Sequence, residues 1–125
     1  MTKIARTFLL LMLIAPAPFA PAVAHHSYAM FDMRKTIELE ANVVRFKWQN
    51  PHAFIEADAN VGGRIERWSI EMTSPNNLTQ SGWKRTTLRV GDKVTLYIHP
   101  LRNGTKGGSY VGVVLPDGSS MGEID

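Results

Sequence analysis

The chain has 125 residues, with 14 Lys and Arg, 11 Asp and Glu, four His and no Cys, and a formal net charge of +3. This length suits a single domain. The lack of Cys excludes disulfide frameworks, zinc fingers, thiol catalysis and iron–sulfur clusters. The excess of basic residues raises the question of a nucleic-acid partner, and the answer depends on where those residues lie.

Residues 1–24 have the pattern of a secretory signal peptide. Lys3 and Arg6 precede an apolar run at residues 8–15, and Ala22-Val23-Ala24 is the small-x-small sequence that signal peptidase accepts. The apolar run is shorter than the roughly 20 residues of a spanning helix. We therefore expect export to the periplasm, cleavage after Ala24 and no stable membrane span after cleavage.

Cleavage would lower the net charge of the protein that a partner meets. It would leave 101 residues and lower the formal charge from +3 to +1, because the signal carries two basic residues and no acidic one. The remaining basic residues are scattered among acidic ones. Without a concentrated basic face, the electrostatic contribution to nucleic-acid binding is weak. We therefore expect no nucleic-acid partner.

The mature chain begins with an arm and a long bent strand. Residues 25–35 lack periodicity and are predicted to form an N-terminal arm. Residues 36–49 alternate between apolar and polar, and the phase of the alternation slips at Val43-Val44. Such a slip predicts a bulge or sharp bend. Asn50-Pro51 ends the strand, since Pro has no N–H to donate.

The rest of the chain predicts a small barrel. Further strands are expected at residues 52–59, 64–72, 92–100 and 109–115. Ser74-Pro75 begins a short helix and Gly82 ends it. Five strands, with one short helix between the third and fourth, predict an OB-like β-barrel over residues 36–118, followed by a tail at 119–125. A β-sandwich or an SH3-like roll stays open, because periodicity does not determine strand order.

All four His would survive cleavage, and two would form the new N-terminus. A chain that begins His25-His26 presents an α-amine and two imidazoles close together. Such nitrogen ligands suit Cu(II). A third nitrogen would come from His52 or His99, and the predicted metal site takes His25, His26 and His52, with copper as its metal.

The sequence leaves the role of the arm open. Met30 and Met33 carry thioethers, which Cu(I) favours. The alternative is that these methionines only anchor the arm to the barrel, and that a His pair at an exported terminus is an ordinary polar end.

Three tryptophans form a second group of candidates. Trp48, Trp68 and Trp83 fall on predicted strands or their edges, where aromatic rings can stack on a small ligand. The alternative is that all three fill the barrel interior. The sequence contains no nucleophile elbow, HExxH, P-loop or GxGxxG pattern. No catalytic residue is therefore predicted.

Several short blocks, in order along the mature chain, resemble one family. They are HHSxxxFD at residues 25–32, WxNPH at 48–52, WxxExxSPNxL at 68–78, GW at 82–83 and GDxV at 91–94. Together they resemble a family of small exported bacterial proteins, domain of unknown function 6152. The resemblance implies a periplasmic, mainly β protein and no established activity. It also groups His25, His26, His52, Glu71 and Asn76, the motif residues that core packing explains least.

These observations leave three functional hypotheses. The first is a non-catalytic binding module that holds copper through His25, His26 and His52. The second is a metal-independent domain that binds a small ligand or a periplasmic protein through a Trp/His barrel face, made of Trp48, Trp68, Glu71, Asn76 and Trp83. The third is an enzyme, with copper-dependent oxidation at the N-terminal His chelate, for which no second catalytic constellation is present.

Overall fold

The computed structural model describes residues 28–124. The predicted signal peptide, His25 and His26 lie outside the described residues. The elements follow in the order β1 (Ile37–Lys47), β2 (Phe54–Val61), β3 (Arg64–Glu71), α1 (Pro75–Gln80), β4 (Lys93–Pro100), β5 (Gly107–Val114) and β6 (Ser120–Gly122).

Strand β1 bends where the sequence predicts it to bend. Its first half pairs with β4, from Ile37 to Asn42, and its second half pairs with β2. The register with β2 shifts between Val43 and Arg45. The bulge predicted at Val43-Val44 is therefore confirmed, and it lets one strand curl between two parts of the sheet.

The sheet closes into a barrel. Its strand order is β3-β2-β1-β4-β5-β6, and an additional parallel pairing joins β3 to β5. The ring β1–β2–β3–β5–β4 confirms the OB-like barrel and excludes the sandwich. At the β3–β5 seam, a Cβ on Gly108 would lie 2.6 Å from the carbonyl oxygen of His99. Glycine, which has no Cβ, is therefore required at this position.

The barrel is filled mainly by aliphatic side chains, together with Trp68, and no polar or charged residue of the described chain is buried. Helix α1 begins as predicted, with Pro75 in its first turn and the Ser74 hydroxyl accepting from the Asn77 N–H at 3.3 Å. Its Leu78 is buried in the core. The helix therefore packs against the barrel through one apolar contact and leaves its polar side exposed.

Both ends of the described chain are held against the barrel. Phe31 forms an isolated bridge with Leu101, and the Asp32 N–H donates to the Pro100 carbonyl at 2.8 Å. At the other end, β6 pairs with β5 within the segment expected to be a tail. Among residues 28–124, no helix is long and apolar enough to cross a membrane.

Candidate functional site: a histidine-lined cavity at the barrel rim

A cavity of about 350 Å³ lies at one rim of the barrel, between the N-terminal arm and the ends of several strands. We call it the rim cavity. Its polar and aromatic lining includes Tyr28, His52, Glu71, Trp83, His99 and Tyr110. The arm, four strands and the segment after α1 all contribute to one site. Such concave sites with a few convergent polar groups are where proteins usually bind ligands.

His52 and Glu71 meet because β2 and β3 are adjacent. Phe54 is opposite Glu71 in the ladder, and the pairing continues past the strands: the Met72 N–H donates to the Ala53 carbonyl at 2.9 Å. His52, just before β2, is thereby held beside the last residue of β3. The motif Asn50-Pro51-His52 therefore places an imidazole at the rim.

One ring nitrogen of His52 faces a carboxylate. Its Nδ1 lies 2.5 Å from Oε1 of Glu71, although the approach is off the direction of a regular hydrogen bond. A carboxylate oxygen only accepts, so a proton on Nδ1 would point at Glu71. Metal-binding histidines are commonly oriented by a carboxylate in this way.

His99, in contrast to His52, makes a regular hydrogen bond through its ring. It lies near the end of β4, opposite Ser109 of β5. Its Nδ1 is 2.9 Å from the carbonyl oxygen of Lys35. Because a carbonyl oxygen only accepts, Nδ1 donates there and the lone pair lies on Nε2.

The N-terminal arm reaches the same cavity. Tyr28 and Met33 line it, and both side chains are about half exposed. Hydrogen bonds hold the arm against the loop after β4, among them one from the Arg102 N–H to the Met30 carbonyl at 2.9 Å. The predicted metal ligands His25 and His26, which precede this arm, lie outside the described residues.

Of the predicted ligand-binding residues, the structure brings Glu71 and Trp83 to the rim cavity. Trp83 is only 2% exposed, so it forms a wall of the cavity and not a free stacking surface. Its ring packs edge-on against Tyr110, with the ring centroids 5.5 Å apart. Burial raises the pKa of the Tyr110 hydroxyl far above its usual range. Tyr110 is therefore a neutral wall of the cavity.

The other predicted ligand-binding residues lie elsewhere. Trp68 is in the barrel core, 7% exposed, and its buried Nε1 has no hydrogen-bond partner within the described chain. Trp48 is half-buried and packs against Phe46, with the ring centroids 5.6 Å apart. Asn76 is exposed on α1. The three tryptophans therefore do not form one face.

Among the polar and aromatic lining residues named above, Tyr28, His99 and Tyr110 are not among the predicted site residues. Tyr110 carries no motif, and its position follows from the pairing of β5 with β4. His99 was considered as a nitrogen donor but was not included in the predicted metal site. A signal was present, because a His next to the end of a strand lies at the barrel rim. In the part of the chain that the structure describes, no three His, Asp or Glu side chains have metal-binding spacing.

A larger and more open depression, of about 780 Å³, runs along β1 and β4. Its charged lining includes Glu40, Asp58, Asp92 and Lys93. None of its described lining residues is a histidine or an aromatic residue. The smaller rim cavity is therefore the better candidate for specific binding.

A search of the curated proteins finds no match to this chain. A search of the solved structures finds the mitochondrial single-stranded DNA binding protein Rim1 from S. cerevisiae. It is 10% identical, with a TM-score of 0.47 and coverage of 65% of this chain and 93% of that one. Similarity at this level carries no functional information. The family resemblance, in contrast, is confirmed: the Family of unknown function (DUF6152) matches residues 14–110, and the chain belongs to it.

Proposed function

We propose that this protein is an exported, periplasmic, non-catalytic binding module, and that its site is the rim cavity. The preferred ligand is copper, held by His25, His26 and His52. One observation carries the proposal: the same cavity is lined by His52 and by Tyr28, which follows His26 by two residues.

Covalent geometry keeps the predicted ligands near the cavity. An extended chain advances at most about 3.6 Å per residue, so the backbone of His25 lies within about 11 Å of that of Tyr28. The pairing of Phe31 with Leu101 fixes the arm just beyond that point. The reach of the terminus therefore includes the cavity that His52 lines.

The chemistry of these ligands favours copper. An α-amine and an imidazole on one residue chelate a single metal, and Cu(II) has the highest affinity for nitrogen ligands among the divalent first-row metals. The amine is available to His25 only if the signal is removed directly before it. Export, cleavage and metal binding are therefore parts of one proposal.

The runner-up is a metal-independent site for a small ligand or a periplasmic protein. It is favoured by the apolar walls of the rim cavity, where Leu78, Trp83 and Met72 are buried. The cavity volume also lies within the range of small-molecule sites. Under this hypothesis His52 and Glu71 would orient a polar group of the ligand.

The test uses protein that is exported and cleaved in vivo. We expect the periplasmic fraction to contain a chain that begins at His25 by mass spectrometry. We expect that chain to bind Cu(II) near equimolar, with an EPR signal rich in nitrogen ligands. A form that retains Ala24 lacks the amine on His25, and we expect at least a tenfold loss of affinity. His52→Gln should also weaken binding, whereas Glu40→Gln, an exposed carboxylate on β1, should not.

Each contrary result would overturn a different part of the proposal. No tight Cu(II) binding by the correctly cleaved chain would leave the metal-independent hypothesis. Equal affinity in the form that retains Ala24 would remove the amine from the site. A chain found uncleaved, or absent from the periplasm, would overturn the exported terminus.

A further inference from the structure

We infer that the first half of β3 is a self-association edge, at which two copies of this chain pair antiparallel about a two-fold axis at Ile65. The occupant of the edge is therefore the β3 strand of a second copy. This interface goes beyond the proposed function and does not depend on it, because it lies at the end of β3 away from the rim cavity.

The first half of β3 has one unpaired side. On one side β3 pairs with β2 along its whole length, from Arg64 to Glu71. On the other side its pairing with β5 covers only Ser69 to Glu71. In the part of the chain that the structure describes, the stretch from Arg64 to Arg67 is therefore a free sheet edge. Such an edge is a template for pairing with another chain.

The direction of the backbone groups on this edge follows from the alternation of an antiparallel ladder. The Ser69 N–H donates away from β2, to the Lys106 carbonyl at 3.2 Å. Residues two apart on a strand direct their backbone groups to the same side, so Arg67 and Ile65 also direct theirs away from β2. Ile65 is 67% exposed. The edge therefore offers two N–H donors, two carbonyl acceptors and an exposed β-branched side chain.

The charges along the edge favour one symmetric register. A two-fold axis at Arg64, Glu66 or Arg67 would place like charges directly opposite each other, which is destabilising. An axis at Ile65 instead places Ile65 opposite its own copy, and Arg64 opposite Glu66 on both sides of the axis. The Arg64 and Glu66 positions form a non-hydrogen-bonded pair, in which side chains approach most closely. The sequence of the edge is therefore complementary to itself in this register.

Both charged side chains are able to make this contact. Arg64 is exposed and forms no ion pair with the described residues. Oε2 of Glu66 lies 3.1 Å from Nζ of Lys106, which leaves Oε1 for a second cation. The pairing ends at Arg67, opposite the turn that precedes β3. It therefore does not compete for Ser69, whose N–H is used at the β3–β5 seam.

The symmetry of the pair limits the assembly to a dimer, because both copies use the same edge. The pairing is short, so we expect the dimer to form reversibly. Glu71 lines the rim cavity at the other end of β3, and six residues of extended strand separate it from Ile65 by about 20 Å. The two rim cavities of the dimer would therefore both stay accessible.

A single introduced thiol tests the register, because the chain contains no Cys. In Ile65→Cys the two thiols would lie at the axis, with Cα atoms about 5.5 Å apart across a hydrogen-bonded pair. That distance allows a disulfide, so we expect a covalent dimer on mild oxidation, seen by non-reducing electrophoresis. Arg67→Cys is the matched control, because its Cα atoms would be about 14 Å apart. Val90→Cys, at a side chain that is 77% exposed, measures random collision.

Sedimentation equilibrium measures the association without a disulfide. We expect the unsubstituted chain to show a monomer–dimer equilibrium as its concentration rises. Ile65→Pro removes an outward N–H but no hydrogen bond to β2, as an edge strand tolerates. Arg64→Glu places like charges opposite each other. Each variant should weaken dimerisation about tenfold or more, whereas Arg85→Glu, the same charge change at an exposed position after α1, should not.

The contrary outcomes are distinct. A chain that is monomeric at every concentration, or Ile65→Cys that forms no covalent dimer, would overturn the inference. Equal cross-linking of Ile65→Cys and Val90→Cys would indicate collision and would also overturn it. A dimer that survives both Ile65→Pro and Arg64→Glu would have its contact elsewhere. Sedimentation of the unsubstituted chain decides the matter if a variant does not fold. None of these results depends on copper, so the proposed function stands or fails separately.

Discussion

The outer face of β1, β2 and β3 and the rim cavity both carry charged side chains, but they use them differently. On the outer face, cross-strand neighbours neutralise each other: Asp58 is opposite Arg67 in the ladder, with Oδ1 and Nε 2.5 Å apart. Glu56 is paired with Lys47 on β1. At the rim, Glu71 lies beside an imidazole. The charges of the outer face are therefore neutralised by cross-strand neighbours, whereas the described lining of the rim cavity contains carboxylates and no Lys or Arg.

This difference also bears on nucleic acid. OB barrels commonly bind oligonucleotides on the face of their second and third strands. Here Arg67 on that face is engaged by Asp58, and Lys47 on β1 is engaged by Glu56. Little positive charge is left for phosphates. That nucleic acid is not the partner stays a prediction, which a binding assay would test.

The largest loss of stability is expected from removing an aromatic ring that forms one wall of the rim cavity. Trp83→Ala deletes a ring that is 2% exposed and packs against Phe46 and Tyr110. Deletion of a buried aromatic side chain costs about 3–5 kcal/mol of unfolding free energy. Chemical denaturation measures the loss. Trp48→Ala, at a half-buried ring, is the matched control and should cost clearly less. Equal losses would mean that the rim is not better packed than its surroundings.

A smaller loss of stability is expected from adding a side chain at the β3–β5 seam beside the rim. In Gly108→Val the new Cβ would approach the His99 carbonyl, a backbone atom that cannot rotate away. Overpacking of this kind costs about 1–3 kcal/mol, measured by thermal denaturation. Gly104→Asn is the control, because Gly104 has a φ of 79° and no neighbour within 4 Å, and Asn tolerates that conformation. Equal destabilisation by the two variants would contradict the crowding at the seam.

The smallest effect on stability is expected from removing the ion pair between Arg67 and Asp58 on the outer face. The hydrogen bonds from the Arg67 guanidinium hold the pKa of the Asp58 carboxyl below its ordinary value. Stability from this pair is therefore present above the unfolded-state pKa and lost as the pH falls through the lowered pKa of the folded state. In Arg67→Ala, carboxyl ¹³C NMR should show the Asp58 pKa rising towards its ordinary value. Both groups are exposed, so salt should weaken the effect.

Asp117 provides a control in the same spectrum. Its pKa is lowered by the Ser119 hydroxyl and N–H, and not by a guanidinium. It should therefore not respond to Arg67→Ala. A shift of both carboxyls would indicate a change of the fold, and an unchanged Asp58 would show that the ion pair is absent in solution.

Local features were predictable from the sequence. The bulge at Val43-Val44 follows from a phase slip, and the start of the helix follows from Ser74-Pro75, because both depend on neighbouring residues. Closure of the barrel, in contrast, depends on residues that are far apart in the sequence. The β3–β5 seam includes Gly107 and Gly108, which have no side chains to show a period. The fifth strand was accordingly predicted to begin at residue 109, two residues late.

The candidate site was predictable only in part for the same reason. His52 and Glu71 could be singled out because they lie in short motifs. The role of His99 depends on the backbone carbonyl of Lys35, 64 residues away, and no side-chain pattern records that contact. Whether a Trp lies in the core or at a cavity is likewise decided by closure. Trp68 and Trp83 look alike in sequence, yet only Trp83 lines the rim cavity.

The parallel seam between β3 and β5 links binding to folding. His52 and Glu71 belong to the β2–β3 side of the ring, and His99 to the β4–β5 side, so they share a cavity only while the ring is closed. A ligand that spans both sides binds the closed state and not the open one. At a concentration 100 times its Kd, such a ligand adds about 2.7 kcal/mol to the stability of the closed state. A ligand bound in the rim cavity across both sides would therefore oppose opening of the seam.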